Sequence, residues 1–151
     1  MALDFERLRK VGLPKTRGRI RADGLEESVS VVRDRYGCPH ISARTEHDIW
    51  FAQGFCHAQG RLWQLERTRR FARGTLAEIL GEPLVPVDRY YRRLGIQRVS
   101  VRDWDQLNDE ARLILQAFSD GVNAAMMLKN HFRDPQWWSS AVSDMLQPGG
   151  W

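Results

Sequence analysis

The sequence has no apolar run long enough to cross a bilayer as a helix. Its longest uncharged stretch, Ile49 to Gly60, contains Gln53, His57 and Gln59 and falls well short of the roughly 18 apolar residues that a span requires. Cysteine is scarce too: Cys38 and Cys56 are the only two, too few for a disulfide framework, and both are expected to be reduced and buried as small hydrophobes. The opening MALDFERLRKVGLPKTRGRIR lacks the apolar core and small-residue cleavage site of a secretory signal, so the chain as written reads as cytoplasmic. Lysine is nearly missing, with Lys10, Lys15 and Lys129 the only ones among 23 basic residues. What is present is ordinary for a folded protein: 42% hydrophobic, 28% charged and 10% aromatic residues in 151. A chain of this length buries roughly 68–70% of its unfolded surface, enough for one core.

The net charge of +4 is carried by arginine, whose planar fork suits phosphate or carboxylate. Clusters such as Arg67, Arg69, Arg70 and Arg73 would suit nucleic acid, but they stand among acidic partners and no recognition motif accompanies them. A stand-alone basic helical module that binds nucleic acid or protein is therefore the alternative reading, and no nucleic acid and no membrane are the expected outcome.

Residues 1–27, punctuated by Gly12, Pro14, Gly18 and Gly24, read as an N-terminal arm. Residues 29–43 predict a β-hairpin: Val29 and Val31 share one face, Val32 the other, and Tyr36-Gly37 supplies the turn. Thr45 with Asp48 three residues on resembles a capping box and opens a helix. In it Phe51, Phe55, Ala58, Leu62 and Leu65 recur at spacings of 4, 3, 4 and 3, one face at 3.6 residues per turn, which Ala52, Cys56 and Trp63 widen. Gln53, His57 and Gln64 lie opposite. Gly54 and Gly60 each cost about 1 kcal/mol in a helix, so they permit close backbone approach or, at Gly60, mark a break. A helical turn over Thr75 to Leu80 stops at Gly81 and Pro83, and Asp88 is expected to cap a third helix ending near Leu94. Asn108 opens a further helix with Asp109 and Glu110 in its first turn and Ala111, Leu115, Phe118, Val122 and Ala125 as its stripe, closed by Lys129 and Asn130. Met126, Met127 and Leu128 read as core filling. The tryptophan-rich stretch from His131 to Trp151 shows no periodicity and looks like a chain cut before its next element.

Candidate chemistry is sparse. Cys38 with His40, and Cys56 with His57, lack the ligand spacing of a zinc site, and no phosphate loop, HExxH or GxSxG elbow occurs.

The run Val31-Val32-Arg33-Asp34-Arg35-Tyr36-Gly37-Cys38-Pro39-His40-Ile41-Ser42-Ala43, then Asp48, then Phe51-Ala52-Gln53-Gly54-Phe55-Cys56-His57-Ala58-Gln59-Gly60-Arg61-Leu62-Trp63-Gln64 resembles the opening of the penicillin acylase family. Glu66, Arg69-Arg70, Gly74 to Glu78, Gly81, Asp88, Arg92, Gly95 and Gly121-Val122-Asn123-Ala124 continue the resemblance, which covers about residues 13–128. Gly60, where the family usually has an acid, Cys38, where it usually has an aliphatic residue, and the segment Asp134 to Gln147 depart from the pattern.

The resemblance implies an α+β fold, the mostly helical α-chain part of an αββα N-terminal nucleophile hydrolase, with 28–151 as an incomplete α-chain region. It implies an amide hydrolase made as a precursor that divides into α and β chains, the partner being the β chain and the substrate a small acyl amide. The nucleophile would be a serine at the β-chain N-terminus with its own α-amino group as base. Ser28, Ser30, Ser42, Ser100, Ser119, Ser139, Ser140 and Ser143 are all internal, so no catalytic, substrate-binding or metal residue is assigned, and this chain alone is expected to be inactive. Family members often bind a structural calcium through residues not present here, so no cofactor is expected, and they are often periplasmic or secreted. His40, Arg61, Gln64 and Asn123 read as scaffold.

Overall fold

The computed structural model describes residues 15–128. The part of the N-terminal arm that holds Gly12 and Pro14, the helix end at Lys129 and Asn130, and the stretch from His131 to Trp151 lie outside the described residues.

Strands β1 (Ser30–Arg33) and β2 (Pro39–Ser42) form the expected antiparallel hairpin, pairing Ser30 with Ser42 and Val32 with His40. Its turn is built by Asp34, whose Oδ1 accepts the N–H groups of Tyr36 and Cys38 at 2.8 and 2.9 Å. Pro39 stands first in its strand, where its missing N–H removes no ladder bond. The structure corrects the reading of both cysteines as buried. Cys56 is buried but Cys38 is exposed, because it belongs to this outward turn rather than to a packed face.

Helix α1 runs from Glu46 to Arg73. Thr45 is its N-cap, accepting from Asp48 N–H at 3.1 Å, but the reciprocal half of a capping box is absent. The Asp48 carboxylate turns instead to the preceding segment and accepts the N–H groups of Glu26 and Glu27 at 2.9 and 2.8 Å. Residues 20–27 are thereby tied down, and Ile20, Ala22 and Leu25 pack against the core. Both roles foreseen for the helix glycines occur. Arg61, next to Gly60, leaves helical geometry (φ −145°, ψ 29°) and kinks α1, while Gly54 permits a close helix crossing. A Cβ at Gly54 would fall on the carbonyl of Phe118, and one at Gly121 on the carbonyl of Phe51.

The element crossing there is α5 (Asp109–Met127), capped by Asn108, which accepts from Ala111 N–H at 2.8 Å. Phe51, Phe55, Ala58 and Leu62 of α1 interlock with Val122 and Ala125 of α5 to form the core. The stripes are thus correct at their centre and wrong at their margins: Trp63 is 44% exposed and Leu115 45%. Leu115 lies toward the N-terminal end of α5, beyond the crossing.

Gly74 ends α1 in the left-handed region (φ 66°), its N–H donating to the carbonyls of Arg70 and Phe71. Then follow α2 (Ala77–Leu80), a short 3-10 turn (Glu82–Leu84), α3 (Val85–Leu94) and α4 (Ile96–Gln106). Asp88 does not start α3, which begins three residues earlier with Pro86 in its first turn. Its buried carboxylate reaches across and accepts Leu76 and Ala77 N–H at 2.9 and 2.8 Å, capping α2. Helix α4 was not foreseen, because Val99, Val101 and Trp104 are exposed and leave no buried stripe to read.

Phe55→Asp is expected to cost several kcal/mol, since it places an unpaired charge in the α1–α5 core. His57→Ala is expected to cost far less, as His57 is exposed and loses only an edge contact with Phe118 at 5.5 Å between ring centroids. Chemical denaturation of the two variants beside the parent checks the ranking, and equal losses would put the wrong face of α1 inside.

Candidate functional site

The structure concentrates its polar groups at three buried carboxylates and two arginine-lined clefts. Asp48 is fully buried. Burial pushes its carboxyl up, but hydrogen bonds from Glu26 and Glu27 N–H, His47 and Thr45 outweigh that and hold it below the usual aspartate range. Glu66 is likewise fully buried, on the same side of α1 as Leu62. Arg69 reaches it twice, Nε at 2.8 Å and Nη2 at 3.0 Å, and Arg70 Nε lies at 2.5 Å. Burial raises the Glu66 carboxyl and the two guanidinium groups lower it further than burial raises it. Arg70 continues through Nη1 to Glu78 at 2.8 Å, and these carboxylates raise its own pKa against the opposing effect of burial. Two of the four arginines that had suggested nucleic acid are therefore turned inward onto a carboxylate.

Both acids have depressed pKa values in the fold, so each contributes stability that is fully present above its unfolded value, about 3.9 for Asp and 4.3 for Glu. Thermal stability is expected to be flat from neutral pH to about 5 with respect to these groups, then to fall as pH drops through their folded values. A pH series of melting curves checks this; with Asp48→Asn the acid limb should become shallower.

One cleft lies between the hairpin turn and the kink of α1. Arg33, Cys38, Cys56, His57, Arg61, Trp63 and Gln64 are among the residues lining its roughly 690 Å³. Arg33 bridges its floor, donating to the Gly37 carbonyl and to Gln59 Oε1, both at 3.0 Å. Burial pushes the Cys56 thiol up, while the Arg33 charge pulls it down by less, so this sulfur is held as an unreactive thiol. Arg61 donates to Gln64 at 3.0 Å, and exposed His40 stands 3.4 Å from Asp34. Asn123 has its Oδ1 buried without a hydrogen-bond partner among the described residues.

No serine hydroxyl or cysteine thiol among the described residues is hydrogen-bonded to a histidine or carboxylate. The hydroxyls of Ser100 and Ser119 donate to the Ile96 and Leu115 carbonyls of their own helices. Glu26, His47 and Asp48 bring three ligand atoms within 4.8 Å of one another, a grouping that spacing along the chain did not suggest. It does not suit calcium: both Asp48 oxygens already accept backbone N–H groups, and an imidazole is a poor donor for a hard cation that prefers oxygen. Sequence reasoning missed Glu66 as a structural centre. The signal was an acid four residues beyond Leu62 on the apolar stripe, followed by arginines at i+3 and i+4.

Against known proteins, the family model described as penicillin amidase matches residues 28–145, reaching past residue 128, where the resemblance in the sequence fades. The chain is 45% identical over 115 residues to the penicillin acylase 2 proenzyme of Pseudomonas sp. (strain SE83), covering 76% of this chain and 15% of that protein. To the penicillin G acylase of Escherichia coli it is 37% identical over 103 residues, covering 68% and 12%. To an acyl-homoserine lactone acylase of Pseudomonas aeruginosa it is 33% identical over 112 residues, covering 74% and 13%. Among solved structures, a thermostable penicillin G acylase from Alcaligenes faecalis aligns with a TM-score of 0.62 and 29% identity, over 75% of this chain and 61% of that one. The observed α+β arrangement, among the described residues helices with one two-stranded antiparallel sheet, is thus that of part of such an acylase. The chain spans 12–15% of the length of these three curated relatives.

Proposed function

The chain belongs to the penicillin amidase family, and from that premise we propose that it is the α-chain scaffold of an amide hydrolase whose nucleophilic serine opens a β chain. In this reading 1–27 is the arm and 28–151 the acylase-like region, to which the packed helix pair and the hairpin belong. The observation that carries the reading is the pairing of extensive similarity to acylases, one of them a proenzyme, with serine hydroxyls and cysteine thiols that make no hydrogen bond to a histidine or carboxylate among the described residues. Leu80, Leu94, Val99, Val101, Trp104, Leu113 and Leu115 are all more than a third exposed, and apolar groups collected on α2 to α5 suit cover by a further chain. The substrate would be a small acyl amide, a β-lactam side chain or an N-acyl homoserine lactone, in keeping with what the relatives are named for. No cofactor, nucleic acid or membrane enters this reading; among the described residues no helix is long and apolar enough to cross a bilayer.

The test uses the precursor that this proposal requires, this chain joined to a β chain that opens with serine, with that serine intact or replaced by alanine. Phenylacetyl, glutaryl and long-chain acyl amides form the substrate panel. The intact precursor should be cut in two and turn over at least one of them, and the alanine form should do neither. Turnover that survives the serine replacement would overturn the proposal.

A further inference from the structure

Where α1 ends, a second pocket of about 350 Å³ opens, lined by Arg69, Arg70, Arg73 and Arg92 together with Thr75, Gln97 and Glu78. Four guanidinium groups line it against two carboxylates, Glu78 at the rim and Glu66 beneath, which between them hold Arg69 and Arg70. The C-terminus of α1 adds roughly half a negative charge, so an excess of more than one positive charge remains. Three of the arginines are also held in place. Arg69 and Arg70 are fixed by Glu66, and Arg92 Nε donates to the Gly74 carbonyl at 2.7 Å. Each keeps at least one terminal nitrogen that makes no hydrogen bond among the described residues: Nη1 of Arg69, Nη2 of Arg70 and both of Arg92. Arg73 makes no hydrogen bond or ion pair there at all.

Prearranged guanidinium donors with surplus charge are what a planar or tetrahedral oxyanion recognises. We propose that this pocket binds a small, multiply charged oxyanion of the phosphate class, with Arg73 and Arg92 closing on it from opposite sides of the α1–α3 junction and Thr75 and Gln97 offering further donors. The inference does not rest on acyl-amide chemistry and stands or falls separately from it. It predicts different outcomes for one substitution in two salts. Without the anion, repulsion of Arg73 by its neighbours and its attraction to the C-terminus of α1 oppose each other, so Arg73→Gln should shift the melting midpoint in chloride little; with the anion, it should remove much of the stabilisation.

The experiment is thermal melting of the 151-residue chain in inorganic phosphate against chloride at matched ionic strength, with phosphorus-31 line widths of the phosphate as an independent reading. Phosphate at ten times its dissociation constant should favour the folded state roughly 10-fold, saturably, and the chain should broaden the phosphate resonance. In Arg73→Gln the phosphate-specific gain and the broadening should both shrink severalfold. Equal effects of phosphate and chloride, or an unchanged response in Arg73→Gln, would mean a solvated positive patch and overturn the proposal. A chain that gives no cooperative melt is decided by the line widths alone, where absence of broadening counts against the site.

Discussion

Gly121→Val is expected to abolish the folded helix pair, with a cost of about 4 kcal/mol or more, while Gly60→Ala is neutral or stabilises by up to about 1 kcal/mol. The contrast follows from what surrounds each glycine. At Gly121 a Cβ would occupy the space of the Phe51 carbonyl and crowd the Phe55 nitrogen. Those atoms belong to the α1 backbone and cannot turn aside as a side chain can, so the helices must separate. Separation would uncover Phe51, Ala58, Val122 and Ala125, all at most 1% exposed. Gly60, on the outer side of the same helix, has nothing within 4 Å of where a Cβ would stand, so alanine there only restricts the unfolded chain. Far-UV circular dichroism and denaturant melts of the two variants check the pair. A Gly121→Val protein as stable as the parent would mean that α1 and α5 do not cross at these glycines.

Glu66→Gln should be the second most damaging change, at about 3–5 kcal/mol, although it alters one atom. The glutamate is fully buried and answers two arginines that are themselves only 8% and 5% exposed. An amide in its place leaves Arg69 without a counter-charge and Arg70 with Glu78 alone, and it turns an N–H donor toward donors. Glu82→Gln, on an exposed residue, should stay within about 0.5 kcal/mol. Equilibrium unfolding at neutral pH separates the two. Near-equal stabilities would mean that the buried triad is solvated in solution.

Much of this fold is legible in the sequence because periodicity reports burial. The spacing of Phe51, Phe55 and Leu62 in α1 and of Val122 and Ala125 in α5 matches the buried faces, and Thr45 and Asn108 stand where the helices begin. What periodicity does not report is where an element stops being covered, which is why Trp63 and Leu115 were placed inside. It also misses long-range polar work. Asp48 and Asp88 look like local cap residues, yet each spends both oxygens on backbone N–H groups 11 to 22 residues away. Spacing along the chain cannot distinguish the two uses. Helix α4 escaped notice for the complementary reason, since its apolar residues stay exposed and no stripe forms. The family came from ordered motifs, and the clefts from neither: Arg73 and Arg92 meet only after α1 and α3 have folded against each other.

The claim that this chain supplies scaffold rather than chemistry is tested most directly by assaying the purified 151-residue chain itself. Incubated at high concentration with the acyl-amide panel and followed by mass spectrometry, it should release no acid or amine above the buffer rate. Sustained turnover that scales with chain concentration and survives repurification would contradict the account, because an active nucleophile would then lie within a sequence where none was assigned.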